Sequence, residues 1–246
     1  MIRATYLLVS TIIYAIFFAT FLYLIAFLAA LPIVPRTIDH GPAAQVGLAL
    51  AVDIALIALF GLQHSVMARK SFKAAWTRIV PVPLERSVYV LVTSLILIAL
   101  FFFWRPIAGT VWSVTAPVGQ AILWAIFLLG WGIVLLSTFL INHFELFGLS
   151  QTFLHLRGKA PAAPRFRMPF FYKMVRHPLY SGFFLAFWAT PHMSLGHLLF
   201  AAGMSVYILI AIQYEERDMI DTFGGDYVAY KGRVGMLTPR LRRAGK

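Results

Sequence analysis

The sequence predicts an all-α polytopic membrane helical bundle of five to six transmembrane segments, ending in a C-terminal helical hairpin and a cytoplasmic tail. Three observations predict it. The chain is 61% hydrophobic and only 12% charged, whereas soluble domains carry about 25% charged residues. Apolar runs long enough to span a bilayer recur at 6–31, 43–66, 87–104 and 117–141, and a broken one covers 179–214. The basic residues crowd into a few of the segments between those runs.

The first run is too long, and too poorly followed by a cleavage site, for a removable signal peptide. The segment after it, 31–42, holds only Arg36. The second run leads into 67–86, which carries Arg69, Lys70, Lys73, Arg78 and Arg86. The third is followed by 104–116, with Arg105 alone, bracketed by Trp104 and Trp112 as interfacial aromatics would be. The fourth leads into 142–178, with Arg157, Lys159, Arg165, Arg167, Lys173 and Arg176. The tail adds Arg217, Lys231, Arg233, Arg240, Arg242, Arg243 and Lys246. Cytoplasmic segments carry the Lys/Arg excess, so the three rich segments are expected inside and the two poor ones outside.

That assignment requires an even number of crossings between 178 and 214. The stretch Thr190-Pro191-His192-Met193-Ser194-Leu195-Gly196-His197 supplies the break. The expectation is an outgoing helix at 179–190, short for a span, and a returning one at 198–214. One unbroken helix there would instead give five spans and an external N-terminus. The chain is read as a single integral membrane domain, 1–246, with a four-span part (1–141) and a C-terminal part (142–246).

There is no cysteine, which excludes disulfides, thiolate nucleophiles and cysteine metal sites. The net charge of +12 fits positive-inside bias and attraction to membrane lipid. Nucleic acid is not expected as a partner, because the basic residues lie in short segments between spans. The histidines lack a metal-ligand spacing, so no metal is expected. Oligomeric state is not readable.

Four polar clusters fall at helix ends on the inferred cytoplasmic side: Gln63-His64, Asn142-His143-Phe144-Glu145, Arg176-His177 and Tyr214-Glu215-Glu216. Ionisable groups near lipid are costly and mark sites. Pro178 suits the first turn of a helix whose free N–H groups can meet an anion. Arg176 presents a planar fork for a carboxylate. Gly182 lets a ligand or a helix approach closely. Glu215 and Glu216 can accept from an ammonium or from ribose hydroxyls. Tyr180, Tyr214, Tyr227 and Tyr230 offer ring faces to a cation or an adenine. A ligand with carboxylate, ammonium, sulfonium and adenine groups uses all of these, and S-adenosylmethionine is that ligand.

The ordered set Arg176-His177-Pro178-Leu179-Tyr180-Ser181-Gly182, Glu215-Glu216 and Tyr227-Val228-Ala229-Tyr230 resembles the signature of the isoprenylcysteine carboxyl methyltransferase and phospholipid N-methyltransferase superfamily. There these elements bind S-adenosylmethionine. Upstream, Phe60-Gly61-Leu62-Gln63-His64-Ser65-Val66-Met67-Ala68-Arg69, Val82-Pro83-Leu84-Glu85-Arg86-Ser87-Val88-Tyr89-Val90 and Asn142-His143-Phe144-Glu145-Leu146-Phe147-Gly148-Leu149 extend the likeness to its thiol-methylating branch, the methanethiol S-methyltransferases. The resemblance implies an enzyme of the bacterial inner membrane, active on the cytoplasmic side, that methylates a small volatile thiol, methanethiol, to dimethyl sulfide. Methylation of a lipid or prenyl-cysteine, or a non-enzymatic membrane role such as in denitrification-related clusters, are the competing readings. Cofactor binding falls to Arg176, His177, Pro178, Tyr180, Gly182, Tyr214, Glu215, Glu216, Tyr227 and Tyr230. His64, His143 and Glu145 are candidate catalytic groups for thiol activation, with Gln63 and Asn142 lining the substrate pocket. Asn142 and Glu145 share a face if the fourth helix extends that far.

Overall fold

A computed structural model of the chain describes residues 2–163 and 165–240. Arg242, Arg243 and Lys246 of the basic tail lie outside the described residues. The elements run, in order, α1 (Ile2–Leu28), α2 (Val46–Ala68), α3 (Lys70–Trp76), α4 (Glu85–Phe103), β1 (Thr110–Ser113), α5 (Pro117–Ile141), α6 (His143–Leu146), α7 (Leu149–Leu156), α8 (Pro178–Trp188), β2 (His192–Ser194), α9 (Leu195–Phe223) and α10 (Gly225–Arg233). Among the described residues, five helices are long and apolar enough to cross a membrane: α1, α2, α4 with the turn before it, α5 and α9. In lipid a helix satisfies every backbone group internally, and so a polytopic helical bundle is the form such a sequence takes.

The chain divides into two compact units. The first comprises Met1–Val114, His143–Ala162 and Pro191–Met204. Its core tilts Phe27 against Phe101 at 5.1 Å and sets Trp104 edge-on to Phe27 and Phe200. Trp104 is only 1% exposed and donates its indole N–H to the Ile38 carbonyl. It is a core residue, not the interfacial anchor its position after an apolar run suggests. Strands β1 and β2 pair antiparallel, with Ser113 opposite His192. One charge in the second apolar run also finds its reason here. Asp53 of α2 is fully buried and accepts the backbone N–H of Arg105, just past the end of α4, at 2.9 Å.

The second unit comprises Thr115–Asn142, Ala163–Thr190 and Ser205–Lys246. Helices α5 and α8 touch backbone to backbone at Gly130 and Gly182. A Cβ on Gly130 would lie 2.6 Å from the Ala186 nitrogen, and one on Gly182 would lie 2.7 Å from the Gly130 carbonyl oxygen. Small residues at helix contacts in membranes permit this approach. The close approach at Gly182 is thus taken by a helix.

The hairpin forms, with arms of unequal length. Helix α8 begins at Pro178, in the first turn, as the sequence indicates, but spans only 11 residues. Helix α9 has 29 residues, about 43 Å at 1.5 Å per residue, against a hydrocarbon core of about 30 Å. It runs antiparallel to α8. Trp188 donates to the Ser205 hydroxyl at 3.0 Å, and Arg176 meets Glu216 at 2.7 Å, at opposite ends of the pair. The sequence expectation ends the return helix at 214. Instead it continues to Phe223, because no Gly or Pro interrupts it before Gly224. Tyr214, Glu215 and Glu216 therefore sit inside a helix.

Helix α5 covers 117–141 as expected, then stops. Asn142 adopts a non-helical conformation and α6 starts anew at His143. The shared face expected for Asn142 and Glu145 does not form, because no single helix carries both residues.

Candidate active site

In the second unit, the start of α8 and the far part of α9 build a buried ionic network. Glu216 is 3% exposed. Its Oε1 accepts from Arg176 Nε at 2.7 Å and lies 3.2 Å from His177 Nε2. Its Oε2 lies 2.6 Å from Lys231 Nζ. A buried carboxylate persists only when paired and hydrogen-bonded, and this one has three donors.

Arg176 has a second task. Its Nη1 donates to the carbonyls of Val234 at 2.5 Å and Lys231 at 3.3 Å. The backbone reinforces this hold: Arg176 N–H reaches the Gly235 carbonyl, His177 N–H reaches the Met236 carbonyl, and Ser181 Oγ donates to the Leu237 carbonyl. Residues 234–237 are thereby threaded along the entry to α8.

Of the remaining expected cofactor residues, Tyr227 and Tyr230 are both 2% exposed, with ring centroids 5.7 Å apart. Phe166 packs edge-on to each. The Tyr230 hydroxyl donates to the Tyr172 carbonyl at 2.6 Å. These two tyrosines form the aromatic seat of α10. Glu215, by contrast, is about half exposed, with Oε2 3.9 Å from His177 Nδ1. Tyr180 lies tilted against the His177 ring at 5.7 Å, and Arg217 lies over the exposed Tyr214 ring. Glu215 and Tyr214 are exposed, and Tyr180 is half-buried beside His177. Arg176, His177 and Glu216 are held among themselves.

Burial pushes the Tyr230 hydroxyl up to about 12, with Arg176 pulling it down and Glu216 raising it. Burial, followed by the Glu215 charge, raises Tyr172; burial, followed by Glu216 and Glu215, raises Tyr227. In the unfolded chain these phenols titrate near 10. Below that pH all are neutral in both states and the fold keeps its full stability. As pH rises past about 10 the unfolded phenols ionise first, so stability falls. Thermal unfolding in detergent micelles is expected to be level up to about pH 9 and to weaken steeply above about 10. A Tyr230→Phe variant is expected to have a lower starting stability but a shallower decline. An equal decline in both proteins would exclude Tyr230 as a contributor.

The first unit holds the other candidates except Asn142, which ends a segment of the second unit. The His64 ring stacks on Phe60 at 5.3 Å and lies 5.1 Å from Tyr89. Thr93 Oγ1 lies 3.3 Å from Gln63 Oε1 and 3.5 Å from His64 Nδ1. Arg86 covers the Tyr89 ring and donates Nε to the Leu146 carbonyl at 2.7 Å. Buried His143 has Nε2 2.7 Å from the Tyr14 hydroxyl, within a box of Tyr14, Phe144 and Phe147 rings. Burial holds the His143 pKa below the ordinary histidine value, and so its imidazole is neutral near pH 7. Glu145 and Asn142 are exposed. Among the described residues no group of three or more acidic or histidine side chains could hold a metal.

Sequence reasoning alone misses Tyr14, Arg86, Tyr89, Thr93 and Lys231. Arg86, Tyr89 and Thr93 carry a signal, since spacings of three and four place them on one face of α4. Lys231 carries none, because its partner lies on another helix.

No family model and no solved structure matches the chain. Curated proteins do match. The chain is 54% identical over 210 residues to the methanethiol S-methyltransferase of Pseudomonas deceptionensis, covering 85% of this chain and 80% of that one. It is 50% identical over 226 residues to that of Mycobacterium tuberculosis, covering 92% of each. More distantly, it is 30% identical over 183 residues to nurim of Danio rerio, covering 69% of this chain and 64% of nurim. The protein is thus an enzyme of the methyltransferase class, built as a polytopic membrane helical bundle. Within that class the chain belongs to the methanethiol S-methyltransferase family.

Proposed function

We propose that the protein methylates methanethiol to dimethyl sulfide with S-adenosylmethionine as methyl donor, at the cytoplasmic face of a bacterial inner membrane. The observation that carries this reading is identity of about half the residues to methanethiol S-methyltransferases over most of the chain. The lysine and arginine excess in 67–86 and 142–178 supports the cytoplasmic orientation.

The donor set of the second unit fits such a methyl donor. The Glu215 carboxylate suits an ammonium or ribose hydroxyls, the Tyr180 and Tyr214 rings suit a sulfonium or adenine face, and the Arg176–His177–Glu216–Lys231 network holds them in place. Bound there, S-adenosylmethionine supplies an electrophilic methyl carbon. The chain's part is to orient the reactants, exclude water and manage one proton. The thiolate is the nucleophile, and a cysteine-like thiol titrates near 8.5, so deprotonation is a real task near pH 7.

His64 and His143 are assigned to it, as imidazoles able to take or steer that proton, with Glu145, Gln63 and Asn142 in supporting places. The test is headspace detection of dimethyl sulfide from purified protein given methanethiol and S-adenosylmethionine. Dimethyl sulfide is expected from the native chain, and its absence overturns the proposal. Glutamine at His64 or His143 is expected to lower kcat/KM by about 100-fold, the usual contribution of a general base. Raising pH should partly restore the rate while donor affinity stays unchanged. An unaltered rate and pH profile in both variants would leave desolvation and the donor's positive charge as the activators.

A further inference from the structure

Beyond the ends of the spanning helices, the second unit carries an open groove of about 440 Å³ lined by Lys173, Arg233 and Arg240 together with Met168, Met174 and Pro239. We infer that this groove binds the phosphodiester of an anionic membrane phospholipid. Three cations line it and, among the described residues, no Asp or Glu does, so it has an unbalanced positive field.

Both guanidiniums are braced by the backbone. Arg233 Nε donates to the Ala229 carbonyl and Arg240 Nη1 to the Gly232 carbonyl. Each guanidinium has five N–H donors, so these single bonds fix the planar fork and leave donors for a phosphate. Arginine forks match phosphate geometry. The cations also stand beside apolar side chains that water would not favour. Met174 is 54% exposed and Met168 38%. A groove lined by cations and by an apolar shoulder of Met168 and Met174 fits a headgroup whose acyl chains continue into the bilayer. A free anion would use the cations and leave the shoulder uncovered. The inference rests on the protein being membrane-embedded and is independent of which molecule it methylates.

The experiment titrates delipidated protein in detergent micelles with phosphatidylglycerol or phosphatidylcholine and counts retained lipid by native mass spectrometry. Phosphatidylglycerol is expected to be retained at least about tenfold more strongly. Substituting alanine at Lys173, Arg233 and Arg240 together should reduce that retention about 100-fold while S-adenosylmethionine affinity by calorimetry is unchanged. If the triple variant does not fold, Lys173→Gln and Arg233→Gln singly, each with an unaltered melting temperature, should each weaken retention several-fold. Three results overturn the inference: equal retention of both lipids, retention insensitive to these substitutions, or full displacement by equimolar inorganic phosphate. Loss of donor affinity with lipid retained would likewise overturn it and give the groove to the methyl donor.

Discussion

Replacing Glu216 with alanine is expected to destabilise the second unit, with loss of activity as a consequence. The side chain is 4% exposed and faces three donors, of which Arg176 is itself 9% exposed. Removing the carboxylate leaves buried positive charge without compensation, and breaking a buried pair in this way costs about 3–5 kcal/mol. For a chain of this size each kcal/mol lowers Tm by about 2–4 °C, so a fall of about 6–20 °C is expected in micelle melts. Glu216→Gln keeps the shape and one acceptor and should fall between. Lys231, with a side chain 43% exposed, should matter less, since water can replace its partner. An alanine variant that melts with the native protein and loses only donor affinity would make Glu216 a ligand contact and not the centre of the network.

The second large effect is expected at the α5–α8 contact. A methyl group at Gly182 would meet the Gly130 carbonyl oxygen at 2.7 Å and Val134 Cγ2 and nitrogen at 2.9 Å. Most of the obstruction is backbone, which cannot rotate aside, so the helices must separate. Gly182→Ala and Gly130→Ala should each cost about 3 kcal/mol, the upper range for overpacking, and each should abolish activity by displacing the α8 start that carries Arg176 and His177. A Cβ on Gly132, on the same helix as Gly130, would meet nothing within 4 Å. Gly132→Ala should therefore stabilise α5 by about 1 kcal/mol through helix propensity alone. Melting temperatures of the three variants check the set; equal effects at 132 and 182 would refute the close-contact explanation.

The membrane bundle was legible in the sequence because apolar runs have one stable solution in lipid. The bounds of α5 were legible because Pro117 and Asn142 punctuate both ends. Pro191 likewise disclosed the hairpin break. The overrun of α9 to Phe223 was not legible, since Tyr214-Glu215-Glu216-Arg217 marks an exit from apolar surroundings and not an end to helical hydrogen bonding. Trp104 is easily misplaced because an indole at a helix end suits both an interface and a core, and only the Ile38 carbonyl decides between them. The motif rightly draws Arg176, His177 and Glu216 together. It leaves open which of them turn inward, because side chains suited to hold a zwitterion can equally well neutralise one another. Lys231 completes the network from a helix of its own, beyond the one that carries Glu216, and no local pattern announces such a pair.

The threading of residues 234–237 along the α8 entry bears on the order in which this protein becomes complete. The acceptor for Arg176 at Val234 is 58 residues downstream. At a synthesis rate of about 5–20 residues per second it follows Arg176 by about 3–12 s. During that delay the guanidinium has been made but its carbonyl partners have not, and Glu216 arrives before Lys231. The α5–α8 contact, by contrast, needs nothing beyond Ala186 and can close early. The nascent chain therefore passes through a stage with α5 and α8 in contact and its charged centre unsealed. Residues 231–237, made after every membrane-spanning helix, close the network around Arg176 and Glu216.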